Sequence, residues 1–173
     1  MRTLYLLRHA KAQRDVPEGG DHARALAPRG QRAALAMGEY LRQQHVLPDL
    51  VLVSTARRTR ETWDHIGLRL AAEEGVTVSF EDAVYLAGPD GLLALIAETG
   101  DDIESLMVIG HNPDLHSLAA GLATAGERDR LDRVREYFPT AAFCAIRLPI
   151  ESWSDIGRGG GTLLDYAVPK ELV

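Results

Sequence analysis

Three short stretches of the sequence place arginine and histidine directly after apolar runs. Arg8 and His9 end the first run, Arg57 and Arg58 come shortly after a second, and His111 follows a third. A guanidinium group matches phosphate oxygens with its planar fork of N–H donors. A neutral imidazole can attack phosphorus or move a proton near neutral pH. The pattern therefore indicates a pocket for an anion that carries several charged oxygens.

The apolar runs themselves are continuous, which is typical of strands buried on both faces of a parallel sheet. They predict strands over 3–7, 50–53 and 106–109, with weaker candidates over 76–80, 141–148 and 162–168. Helical periodicity predicts helices from Pro28 to a stop at Pro48, over 59–74, over 90–98, and from the residue after Asn112-Pro113 through Leu122. This alternation predicts one α/β domain over 1–173, a three-layer sandwich with helices on both faces of a mostly parallel central sheet. The last two strands are expected to form a hairpin that adds an antiparallel edge strand.

The order of these elements brings the basic residues together. Ligands of open α/β sheets bind beyond the carboxyl ends of the strands, so Arg8, His9, Arg58 and His111 are expected at one rim. Pro113 makes His111 the entry to a helix, where free backbone N–H groups favour an anion.

The composition limits the kind of ligand. The 173 residues include 19 Lys and Arg against 25 Asp and Glu, a net charge of −6. This balance argues against a nucleic-acid or membrane-surface partner, and we expect the surplus carboxylates to lie away from the cationic pocket. The single cysteine, Cys144, excludes an internal disulfide. No segment approaches a membrane span of ~20 residues, so we expect a cytoplasmic protein.

The motifs resemble those of a known family. Segment 7–12, Leu-Arg-His-Ala-Lys-Ala, is similar to the opening signature of the histidine phosphatase (phosphoglycerate-mutase-like) superfamily. Segment 54–62, Ser-Thr-Ala-Arg-Arg-Thr-Arg-Glu-Thr, resembles the second signature, and segment 110–113, Gly-His-Asn-Pro, the third. Arg24-Ala25-Leu26 with Gly30 resembles a stretch of the small phosphohistidine phosphatase branch.

The resemblance implies a role for each matching residue. His9 would be the nucleophile that takes the phosphoryl group, Arg8 and Arg58 would hold its oxygens, and His111 would complete the cationic cage. Arg58 is the one of two adjacent arginines that matches the family spacing. Arg24 would reach the phosphate from the loop after the first strand. No metal or cofactor is expected, because side-chain cations supply the positive charge.

The sequence departs from the family where a proton donor for the leaving group would stand. Members that act on alkyl phosphate esters use a carboxylate before a later helix, but segment 83–88 contains no acid. Glu81, Asp82 and Asp90 flank it. An alkoxide needs a donor more than an imidazole does, so we expect a phosphorylated protein substrate, such as a signalling domain that bears phosphohistidine. Two alternatives remain: a phosphatase or mutase for a small phosphorylated metabolite, and a non-catalytic binder of phosphorylated ligands.

The remaining histidines suggest no site. His22, His45 and His65 are interpreted as exposed or peripheral, and His116 lies five residues after His111, off the spacing of a helical metal pair. The glycine-rich run 157–161 is interpreted as a flexible turn. Ala27 stands where the family often has a helix-capping Ser or Thr.

Overall fold

Seven strands and five α-helices form the framework of the part of the chain that this computed structural model describes, residues 1–70, 75–157 and 160–172. The strands are β1 (Arg2–Arg8), β2 (Leu50–Ser54), β3 (Thr77–Glu81), β4 (Ser105–Gly110), β5 (Ala123–Gly126), β6 (Phe143–Leu148) and β7 (Gly161–Ala167). The helices are α1 (Pro28–Gln43), α2 (Arg57–Leu70), α3 (Gly88–Ala97), α4 (Asp114–Leu122) and α5 (Arg128–Glu136). None of these helices is long and apolar enough to cross a membrane.

The strands form one mixed sheet in the order β3-β2-β4-β1-β6-β7-β5. β3, β2, β4 and β1 pair in parallel, whereas β6 is antiparallel to both of its neighbours. The predicted α/β class is therefore confirmed, including the antiparallel strand. Its predicted position at the edge is wrong, because β6 lies between β1 and β7 and the edges are β3 and β5. Burial of five of its six residues agrees with an interior place.

Alternation along the strands divides the core into two layers, as successive side chains of a strand point to opposite faces. In β4, Leu106 and Val108 belong to a cluster on one face, and Met107 and Ile109 belong to a cluster on the other. The first cluster includes buried residues of α3, α4 and α5, and the second includes those of α1 and α2. Both faces are thus covered, which confirms the three-layer arrangement.

Two elements have no counterpart in the sequence prediction. β5 is short and only Ala123 in it is buried, while α5 is strongly charged and buries only Leu131 and Val134. Helix α2 begins at Arg57, two residues earlier than predicted, and the predicted helical residues 71–74 lie outside the described part of the chain. So do residues 158–159 of the glycine-rich run.

Candidate active site

The carboxyl ends of three neighbouring strands meet at one edge of the sheet. In the pairing register Arg8 lies opposite Gly110, and Val53 lies opposite Ile109. The residues that follow are therefore neighbours in space: the rings of His9 and His111 are 5.3 Å apart between centroids. The carboxyl ends of β1, β2 and β4 thus form the rim that the strand pattern predicts.

His9 is held with one ring nitrogen free. Its backbone N–H donates to the Gly110 carbonyl at 3.1 Å, and its Nδ1 lies 2.7 Å from the Ala10 carbonyl oxygen. A carbonyl can only accept, so Nδ1 carries the proton and Nε2 holds the lone pair. Burial, reinforced by the positive charges of Arg58 and Arg8, lowers the pKa of His9 to about 3. The ring is neutral at pH 7, and the lone pair on Nε2 is available for a reaction.

His111 is held by Ser54. Its Nε2 is 2.7 Å from the Ser54 hydroxyl, and that hydroxyl oxygen also accepts the Ala56 N–H at 3.3 Å. Burial, followed by the charge of Arg58, lowers the pKa of His111 to about 4. Ser54 is completely buried, so it positions the imidazole and does not face solvent. In the sequence, the signal for a role of Ser54 is that it begins the second motif, segment 54–62.

The two arginines of the rim are anchored by carbonyl groups. One terminal nitrogen of Arg8 donates to the Phe138 carbonyl at 3.2 Å, and one of Arg58 donates to the Asp21 carbonyl at 3.0 Å. The Arg58 side chain is 8% exposed, whereas that of Arg57 is 54% exposed and pairs with Glu61. Of the two adjacent arginines, Arg58 is therefore the one that faces the site.

Unpartnered polar atoms gather at this rim. Within the described residues, the buried side-chain nitrogen and oxygen atoms without a hydrogen-bond partner are Arg8 Nε, Arg58 Nε, His111 Nδ1 and Asn112 Oδ1. Leaving a buried donor unsatisfied costs about 1–3 kcal/mol, so such atoms are rarely grouped without a reason. Both guanidinium Nε atoms are N–H donors, and a tetrahedral oxyanion supplies the acceptors that they require.

Asp21 provides a negative charge inside the site. Its carboxylate accepts from Arg58 at 3.1 Å, from Arg24 at 3.1 Å and from the Tyr85 hydroxyl at 2.7 Å. The Tyr85 hydrogen bond, with the two arginines, lowers the pKa of Asp21 to about 2. The expectation that carboxylates lie away from the pocket is wrong at this residue, because a buried guanidinium requires a counter-charge.

Arg24 holds the loop that carries Asp21. Two of its nitrogens donate to the Gln13 carbonyl, at 2.9 and 2.7 Å, and a third donates to Asp21. Its N–H groups thus point into the loop, and its effect on the site passes through Asp21 to Arg58. A direct contact with the phosphate, as the resemblance implied, would require these bonds to rearrange.

His22 lies in the site, and its interpretation as peripheral is wrong. Its Nε2 is 2.9 Å from the Thr55 hydroxyl, which donates to Asp82 at 2.5 Å. Its ring packs edge-on against Tyr85 at 4.9 Å, and Tyr85 packs against His111 at 5.5 Å. The only sequence signal was its position beside Asp21, within a loop whose path depends on tertiary contacts.

The three carboxylates that flank segment 83–88 differ in their surroundings. Asp82 is linked to the site through Thr55 and His22. Glu81 accepts from the Ser79 hydroxyl at 2.6 Å, and Asp90 is exposed in the first turn of α3. Asp82 is therefore the candidate that the structure connects to the rim.

Helices α1 and α2 fix the segment that carries His9. The Thr62 hydroxyl accepts the Ala10 N–H at 3.0 Å and donates to the Arg58 carbonyl at 2.7 Å, which ties the first motif to the second. Gly30 allows α1 to approach closely, since a Cβ atom there would lie 2.0 Å from the Lys11 carbonyl oxygen. A glycine is required at this contact.

Comparisons with known proteins show which chains this one is similar to. Residues 4–82 match the family model of the histidine phosphatase superfamily (branch 1). SixA from Nakamurella multipartitia is 31% identical, with a TM-score of 0.80 over 97% of this chain and 96% of that one. A protein histidine phosphatase SixA complexed with tungstate is 25% identical, with a TM-score of 0.75 over 99% of both chains. A Mycobacterium tuberculosis H37Rv protein is 35% identical over 167 residues, which are 95% of this chain and 100% of that protein.

Proposed function

The chain belongs to the histidine phosphatase superfamily, in its small SixA-like branch, and from this premise we propose that it removes the phosphoryl group from phosphohistidine in a protein. The observation that carries the proposal is the cluster of unpartnered buried nitrogens on Arg8, Arg58 and His111 around a neutral His9. These groups suit the capture and transfer of a phosphoryl group without a metal ion.

In the first step, the lone pair on His9 Nε2 attacks phosphorus in line with the bond that breaks. The P–N bond of the substrate breaks, its electron pair stays on the substrate imidazole, and that nitrogen takes up a proton. Arg8 Nε, Arg58 Nε and His111 hold the equatorial oxygens, whose charge is highest in the transition state. The depressed pKa of His9 keeps its lone pair available at neutral pH.

In the second step, water attacks the phosphohistidine formed on His9. The P–N bond to Nε2 breaks, phosphate leaves, and neutral His9 is regenerated. We assign proton exchange with water and leaving group to Asp82, which the Thr55 hydroxyl and His22 connect to the rim. An imidazole leaves with less help from an acid than an alkoxide does, so this indirect link suits P–N substrates better than P–O esters.

Two features of relatives support the proposal. One SixA structure contains tungstate, a tetrahedral oxyanion of the kind that the Arg8, Arg58 and His111 nitrogens could hold. That protein is named a protein histidine phosphatase, and the likeness to it covers 99% of this chain.

The test is trapping of the intermediate. After brief exposure to a ³²P-phosphohistidine protein, the wild type is expected to carry an acid-labile, base-stable label, and His9→Ala none. Turnover is then compared on the phosphohistidine protein, phosphoserine peptide, sugar phosphates and phosphoglycerates. Equal rates on phosphohistidine and phosphoserine would refute the preference for P–N bonds. Absence of any label would refute the covalent mechanism.

A further inference from the structure

A groove with a cavity volume of about 490 Å³ opens beside the active-site rim. It lies between the first turns of α1, the segment before β6 and the end of β7. Its lining includes the cationic residues Lys11, Arg29, Arg32 and Lys170. No residue of the mechanism described above lines it.

The four cations have no acidic partner in the described part of the chain. Within residues 1–70, 75–157 and 160–172, none of them forms an ion pair, although arginines elsewhere pair with Asp or Glu. Arg29, Arg32 and Lys170 are exposed. Four like charges around one concavity repel each other and attract anions, which is notable in a chain of net charge −6.

The floor between these cations is largely apolar. Tyr137, 62% exposed, lines it together with Pro139, Val168 and Pro169. A site for a free inorganic anion needs no such floor, whereas a peptide segment with both acidic and apolar side chains would match both parts of the groove. The net charge of −6 disfavours a nucleic-acid ligand, whose binding rests on positive charge.

Two chain segments connect the groove to the active-site rim. Lys11, in its lining, is two residues from His9. Phe138 lies between the lining residues Tyr137 and Pro139, and its carbonyl accepts from Arg8 at 3.2 Å and from Asn112 at 2.8 Å. A segment bound in the groove would therefore pass close to a phosphoryl group held at the rim.

We infer that this groove docks an acidic segment of the protein substrate that lies next to the phosphohistidine. The inference rests on the proposed function, since it specifies which protein substrates the site accepts. Apolar contacts with the floor and charge contacts with the rim would hold the segment, and the acceptor histidine would project toward His9.

The kinetic test reverses two groove charges. Arg32→Glu combined with Lys170→Glu is compared with Arg128→Glu combined with Arg147→Glu, which makes the same charge change at exposed residues outside the groove. For a phosphohistidine protein with acidic residues beside the histidine, the groove variant is expected to raise KM at least tenfold with kcat within twofold. Turnover of phosphoramidate should be unchanged in both variants. Equal effects of the two variants on KM would overturn the inference.

A binding test does not depend on catalysis. A fluorescent acidic peptide with an unphosphorylated histidine is expected to bind the wild type, and to bind at least tenfold more weakly to the groove variant than to the control. Neutralising the acids of the peptide should remove the difference. Failure of the peptide to bind the wild type, or tighter binding of a single-stranded RNA of equal length, would overturn the inference. If the wild type turns over neither phosphoramidate nor the phosphohistidine protein, the proposed function is wrong. The peptide-binding result then still tests whether the groove binds an acidic segment.

Discussion

Replacing His9 with asparagine is expected to make the fold less sensitive to acid. The folded protein keeps His9 neutral, with a pKa of about 3, while an unfolded histidine titrates near pH ~6.5. Below that pH the unfolded chain binds a proton that the folded chain excludes. The free energy of unfolding therefore falls as the pH drops through the window from about 6.5 to about 3. The Asn side chain amide can still donate to the Ala10 carbonyl.

The size of the effect follows from the two pKa values. Between pH 7 and pH 5, the proton excluded by His9 removes about 2 kcal/mol from the free energy of unfolding. His111, with a pKa of about 4, removes a similar amount, so the two together account for about 4 kcal/mol. Asp21, with a pKa of about 2, loses its stabilising effect only below pH ~4, and therefore not between pH 7 and pH 5. Between pH 7 and pH 5, the free energy of unfolding of His9→Asn should therefore fall by about 2 kcal/mol less than that of the wild type.

The measurement is urea unfolding at pH 7 and pH 5, followed by circular dichroism. His45→Asn is the control, because His45 is exposed and its φ of 55° suits asparagine. The control should show the wild-type loss between the two pH values. If His9→Asn loses as much stability as the wild type on acidification, His9 is not held neutral by burial, and the account of its nucleophilic state is wrong.

Three further substitutions test the site and its supports. Arg58→Lys loses the guanidinium fork and should lower kcat/KM for a phosphohistidine protein by about 100-fold. Arg57→Lys, at the exposed neighbour, should change it less than twofold. Ala27→Ser places a capping hydroxyl before α1, where no side chain caps the helix and φ is −72°; it should raise the free energy of unfolding by about 0.5–1 kcal/mol in urea titration. Gly30→Ala puts a Cβ 2.0 Å from a backbone carbonyl oxygen and should lower the free energy of unfolding by about 1–3 kcal/mol. Gly121→Ala is its control, because a Cβ there has no neighbouring atom within 4 Å, and it should not lower the free energy of unfolding. Equal effects of Arg58→Lys and Arg57→Lys on kcat/KM would contradict the place of Arg58 in the site. Equal effects of Gly30→Ala and Gly121→Ala on the free energy of unfolding would contradict the close contact of α1 with Lys11.

The local sequence pattern was enough to predict the parallel strands that deliver Arg8, His9 and His111. Each lies at or just after an apolar run, and the run and its terminal residue are adjacent in the chain. The interior place of β6 was not predictable in this way, since strand order depends on pairing between distant segments. The stretch 123–136 was missed because α5 has only two buried apolar positions in a charged sequence.

In the site, too, some residues were predictable from the local sequence and others were not. Asp21, His22 and Tyr85 belong to connecting segments without a periodic pattern, and they reach the rim only through contacts with Arg58, Thr55 and His111. The cations of the groove likewise come from three separate parts of the chain. Residue type alone did not distinguish them from other surface charges.

By itself, the sequence determined which residues stand at the strand ends, and that residues of these types suit a phosphate-like anion. The tertiary structure decided the protonation state of His9. The proton on His9 Nδ1 follows from its distance to the Ala10 carbonyl, and its low pKa follows from burial beside Arg58 and His111. The burial and the neighbouring charges come from residues far apart in the chain, and the Nδ1–Ala10 distance depends on the folded backbone. Only the folded arrangement therefore shows that His9 is neutral at pH 7 with its lone pair on Nε2.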